Sequence, residues 1–376
     1  MFIRNFCGKE ELSVNKWKKY AIMHKDRKVA SINSDGSCTI YYPAFMPYNL
    51  YLEMSDDFDD RINNLVNFYA WCSSRVLTLD RKYAKEILNA LGLRQASTDK
   101  ERAEIAVSYH CVSMMDVFWV NGYRENISFS EVNIYNHSLS DFFVDVSLRG
   151  KSLTAENSRL ITPENVAPDI GTPGVAPKAW VRTGNSFKLL KDGQVRDVSA
   201  EILASMIIDC FDIEHVKYEE EEFDGQPVSA CHLITNEERS IVSAEYVEIY
   251  AANHNMKLSD IVFKKSFKAY HMMNIVDYLV GNSDRHWGNW GFWVDNRNNK
   301  LESLYPLMDF DRAFTAYSDL DGAMCLPENS KITQKEAALN AVRLVGLNQI
   351  KEIDRAWFYD ENIWRMFNRR LRLLNN

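Results

Sequence analysis

A long apolar helix that ends at a glycine and leads directly into a polar octapeptide is the feature that most constrains this chain. Residues 261–280, IVFKKSFKAYHMMNIVDYLV, place apolar side chains at helical spacing, and Gly281 is a typical helix terminator. The octapeptide NSDRHWGN, residues 282–289, follows at once and offers carboxylate, imidazole, guanidinium and amide groups with little to bury. The pattern indicates a chemical site at the end of a buried helix.

Two short predicted strands follow the octapeptide and bring further carboxylates towards it. WGFWVD and LESLYPLMDF have strand composition, and NRNN supplies the turn between them. The second strand would deliver Asp309, so that Asp284, Asn289 and Asp309 can converge. Asp311 is two residues further along and would face the same side of a strand, so spacing alone does not separate the two aspartates.

Phosphoryl transfer from ATP needs this set of groups, because the reaction depends on positioning and on neutralising phosphate charge. One carboxylate accepts the proton of the attacking hydroxyl, while an amide oxygen and a second carboxylate hold magnesium. We assign these roles to Asp284, Asn289 and Asp309 in that order. A two-metal phosphoesterase is the weaker alternative, because such sites usually need several histidines and none follows His286.

The composition describes a globular chain. With 376 residues, 46% of them hydrophobic, it can bury more than one core. The net charge is −8 and the basic residues are scattered apart from the closing RRLRLL, so we expect no nucleic-acid surface. No apolar run is long enough to span a membrane and the opening residues lack a signal-peptide core, which predicts a cytoplasmic protein. Seven cysteines without a C-x-x-C pair are expected to be reduced packing residues.

The order of elements predicts an α+β chain. KVASINSDGSCTIYY, within residues 22–45, predicts a hairpin at an Asp-Gly turn, and helical spacing follows from about 59 to 120. Residues 121–170 lose this periodicity, which predicts connecting structure and a domain boundary.

Strands and a helix are predicted again from residue 171. KAWVRTGNSFKLLK predicts two strands around residues 183–185, and SAEILASMIIDCF predicts a helix capped by Ser199. A second hairpin is expected to turn at Asp224, and the acidic run from Glu219 to Glu222 before it is typical of a solvated strand end.

Here the sequence resembles the HipA-like kinases, whose catalytic loop reads N-x-D-x-H-x-x-N and is followed by a DFG-like metal-binding aspartate. NSDRHWGN matches every fixed position of that loop and PLMDFD matches the second motif. PGVAPKAW, from Pro173 to Trp180, is similar to the family's phosphate loop, and FKLLK resembles the strand that carries the ATP-binding lysine. The resemblance covers roughly residues 170 to 320, and a helical segment before them resembles a bacterial branch of the family more loosely.

The resemblance implies roles for individual residues. Lys191 would be the phosphate lysine, with Lys188 as the fallback, and Glu201 would pair with it. Gly174 and Lys178 would belong to the phosphate loop that binds ATP. The catalytic set would be Asp284, His286 and Asn289, with His286 bracing the aspartate by a hydrogen bond, and the metal ligands would be Asn289 and Asp309. Asp311 stands where such kinases have glycine, and no G-x-G-x-x-G loop is present.

The implied fold is two-lobed and protein-kinase-like (HipA-like), with an additional α+β amino-terminal domain. The predicted parts are an amino-terminal domain, a connecting segment, a kinase N-lobe and a helical C-lobe at residues 1–125, 126–170, 171–260 and 261–376. The implied activity is transfer of a phosphoryl group from ATP, with Mg²⁺, to a protein serine or threonine. A regulatory or antitoxin-like partner protein is expected, and Thr172 is a candidate for autophosphorylation near the phosphate loop.

Other interpretations of the same residues remain open. Asp284 alone could cap a turn, Lys191 could be a solvated charge on a strand, and Glu201 could simply complement a helix N-terminus. The loop reports the phosphoryl donor and says little about the acceptor, so a small-molecule or lipid kinase is an alternative. A non-catalytic nucleotide-binding regulatory protein is another.

Overall fold

The computed structural model describes residues 19–122, 125–154, 156–157, 171–172 and 174–375. Several features discussed above lie outside these residues, namely the opening segment with Cys7, most of residues 155–170, and Pro173. The described chain divides into two compact units, of which the first comprises the described residues up to 182 together with 296–299, and the second the other described residues.

The first unit contains an antiparallel sheet with helices. Its strands lie in the order β3-β2-β1-β4 and span Lys19–His24 (β1), Arg27–Asn33 (β2), Cys38–Ile40 (β3) and Phe118–Gly122 (β4). Its helices span Phe58–Ser73 (α1), Ala84–Ala90 (α2), Asp99–Ser108 (α3), Phe129–Val132 (α4) and Asp141–Arg149 (α5).

Local signals explain most of these elements. The predicted hairpin is β2 and β3, and Gly36 in its turn has a φ of 81°, where a Cβ would collide with the backbone of Arg61. The carboxylate of Asp57 caps α1 by accepting from the amides of Asp59 and Asp60. Phe68 and Trp71 of α1 are buried in the core against the sheet.

The segment predicted as connecting structure is more ordered than its sequence indicates. It contains α4 and α5, and Phe143 and Val146 of α5 belong to the core of the first unit. The helix was missed because α5 is only nine residues long and lies among Asn, Ser and Gly residues that favour turns. The strand β4 before it was missed as well.

The second unit follows the strand β5 (Lys178–Thr183), in which the chain passes from one unit to the other. Its strands span Ser186–Lys191 (β6), Glu219–Phe223 (β7), Gln226–His232 (β8), Arg239–Ser243 (β9), Gly291–Asp295 (β10) and Lys300–Leu304 (β11). Its helices span Val195–Ile208 (α6), Ala244–Asn253 (α7), Leu258–Val280 (α8), Gln334–Val345 (α9) and Glu361–Asn375 (α10).

Two sheets organise the second unit. One has β8 between β6 and β7, and the other has β10 between β9 and β11, all antiparallel. The predicted hairpin at Asp224 is β7 and β8, so the acidic run makes up four of the five residues of the strand β7. The long helix α8 is almost wholly buried after residue 269 and ends, as predicted, at Gly281, which has a φ of 60°.

Two sequence predictions in this unit were wrong. The helix α6 begins at Val195 after Gln194, so Ser199 is not its cap and Glu201 lies beyond the first turn. The strand β11 ends at Leu304, and the chain reaches Asp309 through irregular structure. Asp309 and Asp311 therefore do not share a strand face.

The cysteines agree with the expected reduced thiols. All those in the described part of the chain are free, and all of these except Cys38 are buried. Within the same residues, every helix is too short or too polar to cross a bilayer.

Candidate active site

Lys191 is the centre of a buried ion-pair cluster in the second unit. Its Nζ donates to Glu201 Oε1 at 2.7 Å and to Asp309 Oδ1 at 2.6 Å. The side chains of Lys191 and Glu201 are 8% and 1% exposed. Burial disfavours the ammonium form, but the charges of Asp309 and Glu201 outweigh this and raise the pKa of Lys191 well above its usual value. The lysine is therefore held charged beside two carboxylates.

Glu201 is held in place by further hydrogen bonds. Its Oε2 accepts from the Ser229 hydroxyl at 2.5 Å, and its Oε1 also accepts from the amide of Phe310 at 3.3 Å. A buried carboxylate needs such partners because desolvation without them is costly. Complementing a helix dipole is not its role, because it lies beyond the first turn of α6.

Lys188, the fallback lysine, contacts a different partner. Its Nζ pairs with Glu221 on the acidic strand β7. Lys188 and Lys191 are three residues apart on β6, so their side chains leave opposite faces of the sheet. Only Lys191 reaches Glu201.

Asp309 adopts a left-handed backbone, with φ at 65°. Its amide donates to the hydroxyl oxygen of Tyr218 at 3.1 Å, which supports this uncommon conformation for a residue other than glycine. Tyr218 is buried, and this burial raises the pKa of its hydroxyl well above the usual value, so the phenol stays neutral.

Asp311 differs from Asp309 in its surroundings. Burial raises the pKa of Asp311 to about 6, with Lys191 acting in the opposite direction and Asp309 adding to the increase. Its carboxylate does not cap the turn that follows, since no described amide donates to it, and the amide of Ala313 bonds to the carbonyl of Phe310 instead.

The octapeptide loop, residues 282–289, is organised around Asp284. The amide of Asp284 donates to Asn282 Oδ1 at 3.1 Å, and its carbonyl accepts from Asn289 Nδ2 at 2.9 Å and from the amide of His286 at 2.8 Å. These bonds hold the backbone of the loop. Among the described residues, no group donates to the Asp284 carboxylate, which is half-buried at the surface of the loop.

His286 braces the loop differently from the prediction. Its ring Nδ1 accepts from the amide of Gly288 at 3.0 Å, and the ring is exposed. The carboxylate of Asp284 receives nothing from this ring. The histidine thus closes the turn, and only its backbone touches Asp284.

Arg285 is the residue that sequence reasoning overlooked. Its side chain is 2% exposed and pairs with Asp277 of α8 through Nε–Oδ2 at 2.9 Å and Nη2–Oδ1 at 3.1 Å. Its Nη1 also donates to the carbonyls of Asn289 at 2.7 Å and Met308 at 2.6 Å. An aspartate eight residues before an arginine across a helix end was the available signal.

The donor set fits a hard divalent cation. Because Asn289 Nδ2 is bound to a carbonyl, its amide oxygen is the atom left for a ligand. Asp309 supplies a carboxylate, and both oxygen types suit magnesium. Among the described residues, no three acidic, histidine or cysteine side chains are placed to hold a metal ion together, so a metal here would need oxygens from a bound phosphate as well.

The phosphate-loop candidates Gly174 and Lys178 belong to the first unit. Gly174 has a φ of 101°, and a Cβ at this position would collide with Lys178 Nζ. Thr172 is 4% exposed, and its hydroxyl accepts from the indole of Trp180 at 2.8 Å. Arg81 donates to the carbonyls of Thr172 and Lys178. Binding of ATP by this segment stays a prediction.

Comparison with known proteins identifies the fold. No family model matches the sequence, and no curated protein does. HipA of Shewanella oneidensis, solved with HipB and operator DNA, matches with a TM-score of 0.50 and 11% identity over 95% of this chain and 96% of that one. The chain has a HipA-like fold. The Helicobacter pylori kinase CtkA also matches, with a TM-score of 0.39 and 15% identity over 53% of this chain and 88% of that one. The predicted α+β class and the HipA-like resemblance are confirmed at the level of the fold.

Proposed function

We propose that this chain is an ATP- and magnesium-dependent phosphotransferase, and that its acceptor is a serine or threonine of a protein. The observation that carries the proposal is the Lys191 cluster, in which one buried ammonium contacts both Glu201 and Asp309. A lysine held charged in this way suits the binding of nucleotide phosphates. The HipA-like fold supports the same conclusion.

Each residue then has a chemical task. Asp284 accepts the proton of the acceptor hydroxyl as its oxygen attacks the γ-phosphorus, and the bond to the β–γ bridging oxygen breaks, so that ADP leaves. Asp284 suits this role because its carboxylate receives no hydrogen bond from the described residues while the loop bonds fix its backbone. Lys191 orients the phosphates and offsets their charge.

Asn289 and Asp309 would hold magnesium. When bound, the cation would neutralise charge on the phosphates and hold them in line with the acceptor. The amide orientation of Asn289 and the backbone bond from Asp309 to Tyr218 preset the two ligands.

A regulatory partner protein is part of the proposal. The Shewanella HipA forms a complex with HipB and operator DNA. We propose that a regulatory protein also binds this chain. We also propose that the chain acts in the cytoplasm of a bacterium. Size-exclusion chromatography of the chain co-expressed with the product of an adjacent reading frame tests this; separate elution of the two proteins would contradict it.

The activity can be tested with γ-labelled ATP and the purified protein, first alone and then with cell lysate protein or a lipid extract. Label is expected on protein serine or threonine. Label found only in lipid or a metabolite would replace the protein acceptor, and lack of ATP binding and turnover would refute the proposal. Lys191→Met should abolish transfer, while the matched Lys188→Met should retain it, since Lys188 pairs with Glu221.

A further inference from the structure

We propose that Arg285, together with Asp277, is a positioning residue that sets the separation of the two magnesium ligands; this rests on the proposed function. The two candidate ligands, Asn289 and Asp309, lie on different segments of the chain. Arg285 touches the backbone of both segments with one nitrogen.

The orientation of the guanidinium is fixed from the side of α8. Asp277 is 5% exposed, lies one turn before the end of that helix and accepts from two nitrogens of Arg285. A bidentate pair of this kind fixes the plane of the guanidinium as well as its distance. The guanidinium carbon lies over the Phe310 ring, 5.2 Å from its centre, which restricts the side chain further.

The remaining nitrogen joins the two ligand segments. Nη1 donates at 2.7 Å to the carbonyl of Asn289, a candidate ligand itself, and at 2.6 Å to the carbonyl of Met308, the residue before Asp309. Two oxygens that accept from one nitrogen must lie within a few ångströms of each other. Magnesium demands near-ideal octahedral geometry, so a small change in this separation should weaken its binding.

Asn282 makes a parallel but weaker connection. Its Nδ2 lies 3.4 Å from Asp277 Oδ1 and 3.5 Å from the carbonyl of Asp309. These distances are at the limit for hydrogen bonds, whereas those of Arg285 are short. Arg285 therefore carries most of the constraint.

The first unit contains a matched pair for comparison. Arg75 forms a bidentate pair with Asp116, is 7% exposed, and donates to the carbonyls of Cys111 and Phe118. Its chemistry is the same as that of Arg285, but no candidate ligand adjoins it. Arg75→Lys should lower stability without changing metal binding.

The test measures binding of a non-hydrolysable ATP analogue by calorimetry, with excess EDTA and then with Mg²⁺. Wild type is expected to bind more tightly with Mg²⁺. Arg285→Lys should keep the wild-type affinity in EDTA, because that affinity depends on Lys191. It should lose about tenfold or more of the gain in affinity that Mg²⁺ gives the wild type. The reason is that a lysine cannot supply both bidentate pairing and two carbonyl contacts. A residue needed only for folding would weaken both affinities equally.

A second variant guards against misfolding. The double variant Asp277→Leu with Arg285→Met removes both buried charges together, a change that proteins often tolerate. This variant should fold and also lack the gain. The proposal is overturned if either folded Arg285 variant keeps the wild-type gain, or if Arg75→Lys loses it equally. A wild type whose affinity is indifferent to Mg²⁺ would overturn both this proposal and the proposed function.

Discussion

Separate replacement of Asp309 and Asp311 by asparagine should have opposite effects, although the two residues are close in sequence. Asp309 pairs with Lys191 and is a candidate magnesium ligand. Asp311 has neither role, and burial raises its pKa. Asparagine removes the charge in each case with almost no change in volume, so the comparison isolates the charge.

Asp309→Asn should lose activity and some stability. Loss of the anionic ligand is expected to cost several kcal/mol in the transition state, on the order of a thousandfold in rate. Lys191 would keep Glu201 at 2.7 Å, so the folded state is not left with an unpaired buried charge. The free energy of unfolding should therefore fall by only about 1 to 2 kcal/mol.

Asp311→Asn should keep its activity and gain stability. The folded pKa of about 6 lies above the ordinary value of 3.8, so the folded state binds the proton more tightly than the unfolded chain. Any stabilisation by this group is complete below the ordinary pKa and is lost as the pH rises through 6. At pH 7 the wild type thus carries a penalty of up to about 3 kcal/mol, which asparagine removes.

Urea unfolding at pH 4 and pH 7 without nucleotide, and initial rates across a magnesium titration, measure both effects. The stability gain of Asp311→Asn should be present at pH 7 and nearly vanish at pH 4. A gain that is equal at both pH values would refute the burial argument. If Asp311→Asn were inactive while Asp309→Asn turned over, the assignment of the metal ligand would be wrong.

Three further predictions concern other residues. Glu201→Gln should slow turnover about 10- to 100-fold, because it removes one of the two negative charges that contact Lys191; unchanged steady-state rates would contradict this. Burial lowers the pKa of His24 to about 4, so stability should fall as the pH drops below 6.5, by about 2 kcal/mol at pH 5; urea unfolding of His24→Phe should show no such loss. Thr172 is expected to become phosphorylated after incubation with Mg²⁺ and ATP, with a change in fluorescence as its bond to Trp180 breaks; an unmodified peptide in mass spectra would exclude this.

The sequence by itself determined the elements whose signals are local. The turns at Gly36 and Asp224 and the helix end at Gly281 depend on backbone conformations that nearby residues encode. The octapeptide has all its polar groups within eight residues, so candidate roles for them could be assigned without knowledge of the packing, and these roles stay predictions. Local signals failed where the helix cap is weak, as at Gln194, and where a short helix lies among turn-forming residues, as in α5.

Only the tertiary structure decided which charged groups meet. Lys191 and Asp309 are 118 residues apart, and Glu201 and Phe310 are 109 apart, so no local pattern relates them. Packing also separated Lys191 from Lys188 and gave Arg285 its partners. The physical reason is that a buried charge is stable only next to an opposite charge or enough hydrogen-bonding groups, and the fold determines which of these are within reach.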